Sequence, residues 1–209
     1  QLERRLEWHL LGNHLFANSK ALVFAGCYFD GDEGRRWLVK GLSILDRELD
    51  EQVLPDGGQF ELSPMYHALA FEDLLDLINL AGTFVGLVPA KTVTRWRQVA
   101  ARMGSWLDVM CHPDGEIAFF NDAAMGAAPS PAELFGYAAR LGISWKTLGS
   151  DLVHLPDSGY IRLQVGPAVL LIDVGRIGPD YLPGHAHADT LSFELSLGGQ
   201  RVFVNSGTS

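Results

Sequence analysis

Apolar residues recur every three or four positions along the first two thirds of the chain, and at every second position along the last third. From about Leu2 to Phe29, Leu6, Leu10, His14, Ala17, Ala21 and Phe24 follow helical spacing and predict a first helix. Trp37, Leu38, Gly41, Leu42 and Leu45 make the apolar face of a second, from about Glu33 to Leu49, after the loop Asp30-Gly31-Asp32. Asp56-Gly57-Gly58 is a turn by composition. Pro64 fits the first turn of a third helix with Ser63 as its cap. Leu69, Leu74, Leu77, Ile78 and Ala81 carry it on to a stop at Gly86 and Pro89. Trp96, Val99, Met103, Trp106 and Leu107 line a fourth, about Thr92 to Met110, ended by Pro113-Asp114-Gly115. Ile117 to Pro131 reads as an irregular apolar loop, and Pro131 to Leu141 as a short helix. Helices joined by loops, with no strong sequence repeat, predict antiparallel hairpins in a bundle or a ring.

After Gly149 the period changes to two. Tyr160, Arg162 and Gln164 alternate with Ile161, Leu163 and Val165, and Val169 to Val174 is a short apolar run. Leu191, Phe193, Leu195 and Leu197 alternate with Ser192, Glu194 and Ser196; Gly198-Gly199 then turns the chain into Arg201 to Asn205. This is antiparallel β-structure with one solvated face. The sequence therefore divides into a helical part, residues 1–149, and a β part, 150–209. It opens within a helical pattern at Gln1 and stops just after a strand at Ser209, so both ends read as cuts in something longer.

Composition narrows the function. With 209 residues, 47% of them hydrophobic and 20% charged, the chain can bury a real core. A net charge of -9 gives a nucleic-acid partner no support, though a local cluster of donors can still hold an anionic substrate. No apolar run is long enough to span a bilayer. Cys27 and Cys111 lie in apolar helical contexts and read as two buried free thiols.

Three segments hold the candidate chemistry: Gly12-Asn13-His14-Leu15, Ser63-Pro64-Met65-Tyr66-His67 and Gly184-His185-Ala186-His187-Ala188-Asp189. Asn13 is a poor residue for a helix interior and wants a reason there. A catalytic Tyr66 would need its phenol lowered by cationic neighbours. His185 and His187 share one side if extended and suit zinc, with Asp189 as a third donor. Asp173 and Asp180 read as turn or surface carboxylates. Glu61, Asp122 and Glu133 are the carboxylates that a hydrolytic pair would draw on. Glu61, His67 and Asn121 are further candidates for touching substrate. There is no Gly-rich phosphate loop, nucleophile elbow or Cys-based metal cluster.

Taken together, Asn13-His14-Leu15 with Ala17-Asn18, Gly57-Gly58 with Glu61 and the Ser63–His67 segment, and His185–Asp189 followed by Leu191-Ser192-Phe193 resemble the heparinase II/III-like polysaccharide lyases and the architecturally related alginate lyases. Ser158-Gly159-Tyr160 resembles that family's first strand. The resemblance implies an α+β multidomain fold, a partial (α/α) toroid followed by an antiparallel β-sandwich. It implies β-elimination at a uronic acid of an acidic polysaccharide, in the periplasm or outside the cell. Asn13, with His14 near it, would stabilise charge on the uronate carboxylate. Tyr66 would act as general base, general acid or both, and His185 would remove or return a proton. Members with zinc hold it by the residue matching His187, by an aspartate where this chain has Asn205, and by a later histidine that would lie beyond Ser209. Two other readings stay open: a glycoside hydrolase on a similar toroid, and a non-catalytic glycan-binding or polysaccharide-assembly protein.

Overall fold

Among the described residues, five α-helices precede five strands; the periodicity predicts the five helices and four of the strands. The computed structural model describes residues 2–10, 12–146, 150–178, 181 and 184–207. Gln1, Gly149, Asp180 and Ser209, all singled out above, lie outside the described residues, and with Gly149 the 149/150 boundary.

The helices are α1 (Gly12–Tyr28), α2 (Gly31–Gln52), α3 (Pro64–Thr83), α4 (Ala90–Val109) and α5 (Pro131–Arg140). The first expected helix, Leu2–Phe29, is broken. Residues Leu2–Arg4 form a single 3-10 turn, and residues 5–10 are turns and bends. The Glu7 N–H donates to Asn18 Oδ1 at 3.0 Å, and Asn18 Nδ2 donates to Glu7 Oε2 at 2.9 Å, folding the segment back on α1. Leu6 thereby buries against Leu15, Leu22 and Ile44. Its apolar character is used by that return, not by continuing a helix. Asn13 is consequently in the first turn of α1, not at mid-helix.

α1 and α2 form an antiparallel hairpin whose backbones nearly touch. A Cβ on Gly26 would lie 2.4 Å from the Leu38 nitrogen, and one on Gly41 2.9 Å from the Ser19 carbonyl oxygen. α3 and α4 form the next hairpin, and α5 packs on both of them. Ser63 takes the N-cap position of α3 without a side-chain cap bond; Ser130 does cap α5, reciprocally with Glu133.

A repeat hidden from the periodicity follows α2 and α4. Pro55-Asp56-Gly57 and Pro113-Asp114-Gly115 are the same turn, 58 positions apart. The bonds Leu54 N to Gly58 O (2.8 Å) and Phe60 N to Gln52 O (2.9 Å) recur as His112 N to Glu116 O (2.9 Å) and Ala118 N to Met110 O (2.9 Å). Gly57 (φ 98°) and Gly115 (φ 88°) supply the left-handed residue. Each turn leads into a segment that carries site residues, Phe60–Ser63 after the first and Phe119–Asp122 after the second.

The strands β1 (Leu152–Leu155), β2 (Tyr160–Val165), β3 (Ala168–Asp173), β4 (Phe193–Leu197) and β5 (Gln200–Phe203) form one antiparallel meander in sequence order. β1 was not predicted. It pairs with β2 as Leu155 with Tyr160 and Leu152 with Leu163. One sheet face packs on the helical part: Leu155, Tyr160 and Leu171 join Leu62, Trp106, Val109, Met110 and Phe120 in a common core. Arg162 Nη1 donates to the Val109 and Cys111 carbonyls at 3.1 and 2.5 Å, satisfying acceptors left over at the end of α4. Cys27 and Cys111 are buried free thiols, as expected. Among the described residues, no helix is long and apolar enough to cross a membrane.

Candidate active site

α3 begins at Pro64, so Tyr66 and His67 are successive residues of its first turn and point about 100° apart. That geometry separates their roles. Tyr66 lines a cavity of about 210 Å³ with Asn13, Phe16, Ala17, Gln52, Leu69, Ala70 and Asp73. His67 turns into the core and is fully buried. Its Nδ1 accepts from the Gln59 N–H at 3.2 Å, and its Nε2 faces the Met103 carbonyl at 3.0 Å. Burial pushes its pKa down to about 3. The expectation that His67 binds substrate is thus corrected: it is a neutral core histidine.

His185 reaches Tyr66 from the loop before β4. The two rings lie 3.9 Å apart between centroids, tilted by 39°. His185 Nδ1 is hydrogen-bonded to Asp122 Oδ2, and its Nε2 is 3.3 Å from Glu61 Oε2. The imidazole stays a quarter exposed, at 25%. Three chain-distant segments therefore meet on one ring: the return from the first Pro-Asp-Gly turn (Glu61), the return from the second (Asp122), and the start of α3 (Tyr66).

Glu61 is only 2% exposed, which leaves it no face for a sugar. Its Oε1 accepts from Gln59 Nε2 at 3.2 Å. Its carboxylate also faces the Asn13 backbone N–H. A carboxylate at the first turn of α1 answers an N–H that has no partner within the helix. Burial holds the Glu61 carboxyl above the ordinary carboxylate range; its neighbours His185 and Gln59 pull the other way. Glu61 is accordingly a supporting group, not the substrate contact expected from the sequence.

Asn121 is likewise 2% exposed and touches no open surface. It sits at φ 57°, a left-handed conformation that asparagine tolerates better than most residues. Its Nδ2 donates to the Leu62 carbonyl at 3.0 Å and to Tyr160 Oη at 3.3 Å, and its backbone N–H donates to Asp189 Oδ2 at 2.5 Å. Its Oδ1 accepts from the His187 N–H at 3.0 Å. Asn121 pins the histidine loop to the helical part, and this replaces the substrate-binding role expected of it.

His14 does not join the cluster. Its side chain is 51% exposed and lies 3.5 Å from Glu7 Oε2. The phenol of Tyr66 is raised, not lowered: burial is the largest cause, and the carboxylates of Asp122 and Glu61 add to it. The expected cationic activation is therefore outweighed. Asp173, expected at a turn or on the surface, is the buried last residue of β3, its Oδ1 accepting from the Gly175 N–H at 2.8 Å. Burial pushes it up to about 6.

Zinc needs three or four converging N, S or O donors. Among the described residues, no group of three or more His, Cys, Asp or Glu is arranged to hold a metal. Asn205 Nδ2 donates to Ser192 Oγ at 3.3 Å, and its Oδ1 accepts from the Ser206 N–H at 2.7 Å. Asp189 is engaged with Asn121. An amide so committed beside the single imidazole of His187 is a poor donor set for zinc.

The family model for the heparinase II/III N-terminus matches residues 5–138, and that for the heparinase II/III-like C-terminal region matches residues 147–209. The chain belongs to the heparinase II/III-like family. A heparin-sulfate lyase of Pedobacter heparinus is 42% identical over 225 aligned positions, covering 94% of this chain and 32% of the relative. A heparin-sulfate lyase of Bacteroides stercoris is 38% identical over 74 residues, 35% of this chain and 11% of the relative. The fold is shared with a heparinase III (TM-score 0.79, 20% identity, 96% of this chain and 35% of that one). It is shared too with the heparan sulfate lyase HepC from Pedobacter heparinus (TM-score 0.73, 23% identity, 99% and 34%). This heparinase II/III-like chain thus spans about a third or less of the proteins it matches, and within that span it carries toroid-type helical hairpins followed by a sheet of the β-sandwich region.

Proposed function

We propose that the protein of which this chain forms part is a polysaccharide lyase, cleaving an acidic polysaccharide by β-elimination beside a uronic acid. The observation that carries the reading is the stacked pair Tyr66–His185, 3.9 Å between ring centroids, at the edge of a cavity that Tyr66 shares with Asn13. β-Elimination requires one group to take the proton from C5 and another to give a proton to the departing oxygen. A raised phenol is a proton donor at neutral pH, so Tyr66 suits the leaving group. His185, partly exposed, suits the C5 proton. The Asn13 side-chain amide can donate to the uronate carboxylate, where charge accumulates as C5 is deprotonated.

The cavity lining contains no Arg or Lys among the described residues, and its one carboxylate, Asp73, is paired with Lys20 at 2.6 Å. Sulfated sugars call for several guanidinium or ammonium groups. The sugar bound here is therefore proposed to be an unsulfated or lightly sulfated uronate, met outside the cytoplasm. A hydrolytic pair drawn from Glu61 and Asp122 is disfavoured, because both carboxylates face the same imidazole and Glu61 is closed to substrate.

The test uses the full-length protein on a panel of acidic polysaccharides, read by the ultraviolet absorbance of unsaturated uronate ends. Tyr66→Phe and His185→Ala are each expected to lower kcat by roughly 10²–10⁴. Wild-type rates in both variants would remove the assignment.

A further inference from the structure

Asp122 takes no part in the steps above, yet it holds the ring that does. A neutral imidazole has one nitrogen that donates and one that accepts. An ionised carboxylate only accepts. The hydrogen bond from His185 Nδ1 to Asp122 Oδ2 therefore puts the proton on Nδ1 and leaves the lone pair on Nε2. Nε2 itself is 3.3 Å from Glu61 Oε2, but that oxygen has no aligned hydrogen-bond partner among the described residues.

Asp122 is itself held in place by its neighbour. Asn121 is tied through four hydrogen bonds to Leu62, Tyr160, Asp189 and His187. One of these, to the His187 N–H, fixes the backbone two residues after His185. The pair Asn121-Asp122 thus grips the histidine loop twice, by its main chain and by its ring. Glu61 and the Tyr66 ring flank it on two further sides.

Resting on the lyase reading, we infer that Asp122 is the positioning residue for His185, selecting the tautomer that presents Nε2 to the sugar and fixing the ring against Tyr66. It does not touch substrate; it acts through the imidazole, as a carboxylate orienting a catalytic histidine does elsewhere.

The experiment uses the full-length protein with nitrogen-15-labelled histidine, together with kinetics on whichever acidic polysaccharide the wild type cleaves. In the wild type, the His185 nitrogens are expected to report a proton on Nδ1 and none on Nε2. Asp122→Ala is expected to mix the tautomers and to lower kcat by roughly 10²–10⁴, with KM changed less than about threefold. Asp122→Asn keeps the size of the side chain and carries the same test if the alanine variant does not fold. Asp122→Glu should restore part of kcat and the Nδ1 signal. A wild-type spectrum with the proton on Nε2 would overturn the inference. So would an Asp122→Ala enzyme with kcat within about twofold of wild type and an unchanged tautomer. A wild type that forms no unsaturated ends on any glycan would instead remove the lyase reading, and the nitrogen signals would still decide the role of Asp122.

Discussion

His67 and His185 contrast two fates of one side chain. His67 is spent on two backbone groups in the core; His185 keeps a quarter of its surface open beside Tyr66. Their pH behaviour follows. Folded His67 stays neutral down to about 3, whereas the unfolded ring takes up a proton near its ordinary value of 6.5. Between those values the unfolded state binds more protons. The contribution of the neutral ring to stability is therefore complete above about pH 6.5 and is lost as the pH falls towards about 3. In nuclear magnetic resonance, the His67 ring signals are expected to stay flat from about pH 8 to about pH 5. A midpoint near 6.5 would contradict the burial described here. At this scale the sequence shows residue types but not which way they point. One signal was readable: Tyr66 and His67 are adjacent on a helix, so a Tyr66 facing the cavity sends His67 elsewhere. Asn121 and Asp122 had no such signal, because their roles come from a left-handed turn and from partners more than sixty positions away.

Periodicity located α2 to α5 within a few residues, since each buries one apolar stripe. It failed on the first helix, because Leu6 keeps helical spacing with Leu10 while packing back on α1 and α2. It also missed β1, a four-residue strand. The two Pro-Asp-Gly turns were visible separately as turns. Their equivalence emerges only from matching hydrogen bonds, a three-residue identity being too short to stand out. Both turns key the helices to the sheet. Asp56 Oδ2 accepts from the Asp157 N–H (3.0 Å), the Ser158 N–H (2.7 Å) and Ser158 Oγ (2.8 Å), while Asp114 pairs with Arg201 at 2.7 Å. Replacing Asp56 by alanine leaves these donors at the β1–β2 turn to water and is expected to cost about 1.5–3 kcal/mol. Urea midpoints check it; an unchanged midpoint would mean that the turn docks through packing alone.

Across the whole molecule, a buried polar chain joins the two halves. His112, just after α4, bonds Ser196 Oγ through Nδ1 and Glu194 Oε2 through Nε2, both at 2.7 Å. Glu194 Oε1 also accepts from the Phe119 and Asn205 N–H groups at 2.7 and 3.1 Å. Without His112, Glu194 keeps its two N–H donors and Arg201 at 3.6 Å, while Ser196 Oγ loses its partner, so His112→Ala is expected to destabilise by about 2–3 kcal/mol in a denaturant titration. A loss below about 1 kcal/mol would place the joint elsewhere. This interface carries the site as well, since Glu61, Tyr66 and Asp122 come from the helical part and His185 from the sheet part. The family was legible through the three segments taken together and not through any single motif. The zinc expectation came by the same route.

β-Elimination and hydrolysis differ by one water that can be weighed. A uronate-containing oligosaccharide cleaved by the full-length protein will, on this account, give an unsaturated fragment that absorbs in the ultraviolet and a partner, whose masses together equal the mass of the substrate. Tyr66→Phe should suppress both products. Two saturated fragments whose masses together exceed the substrate by one water would show hydrolysis and contradict the account.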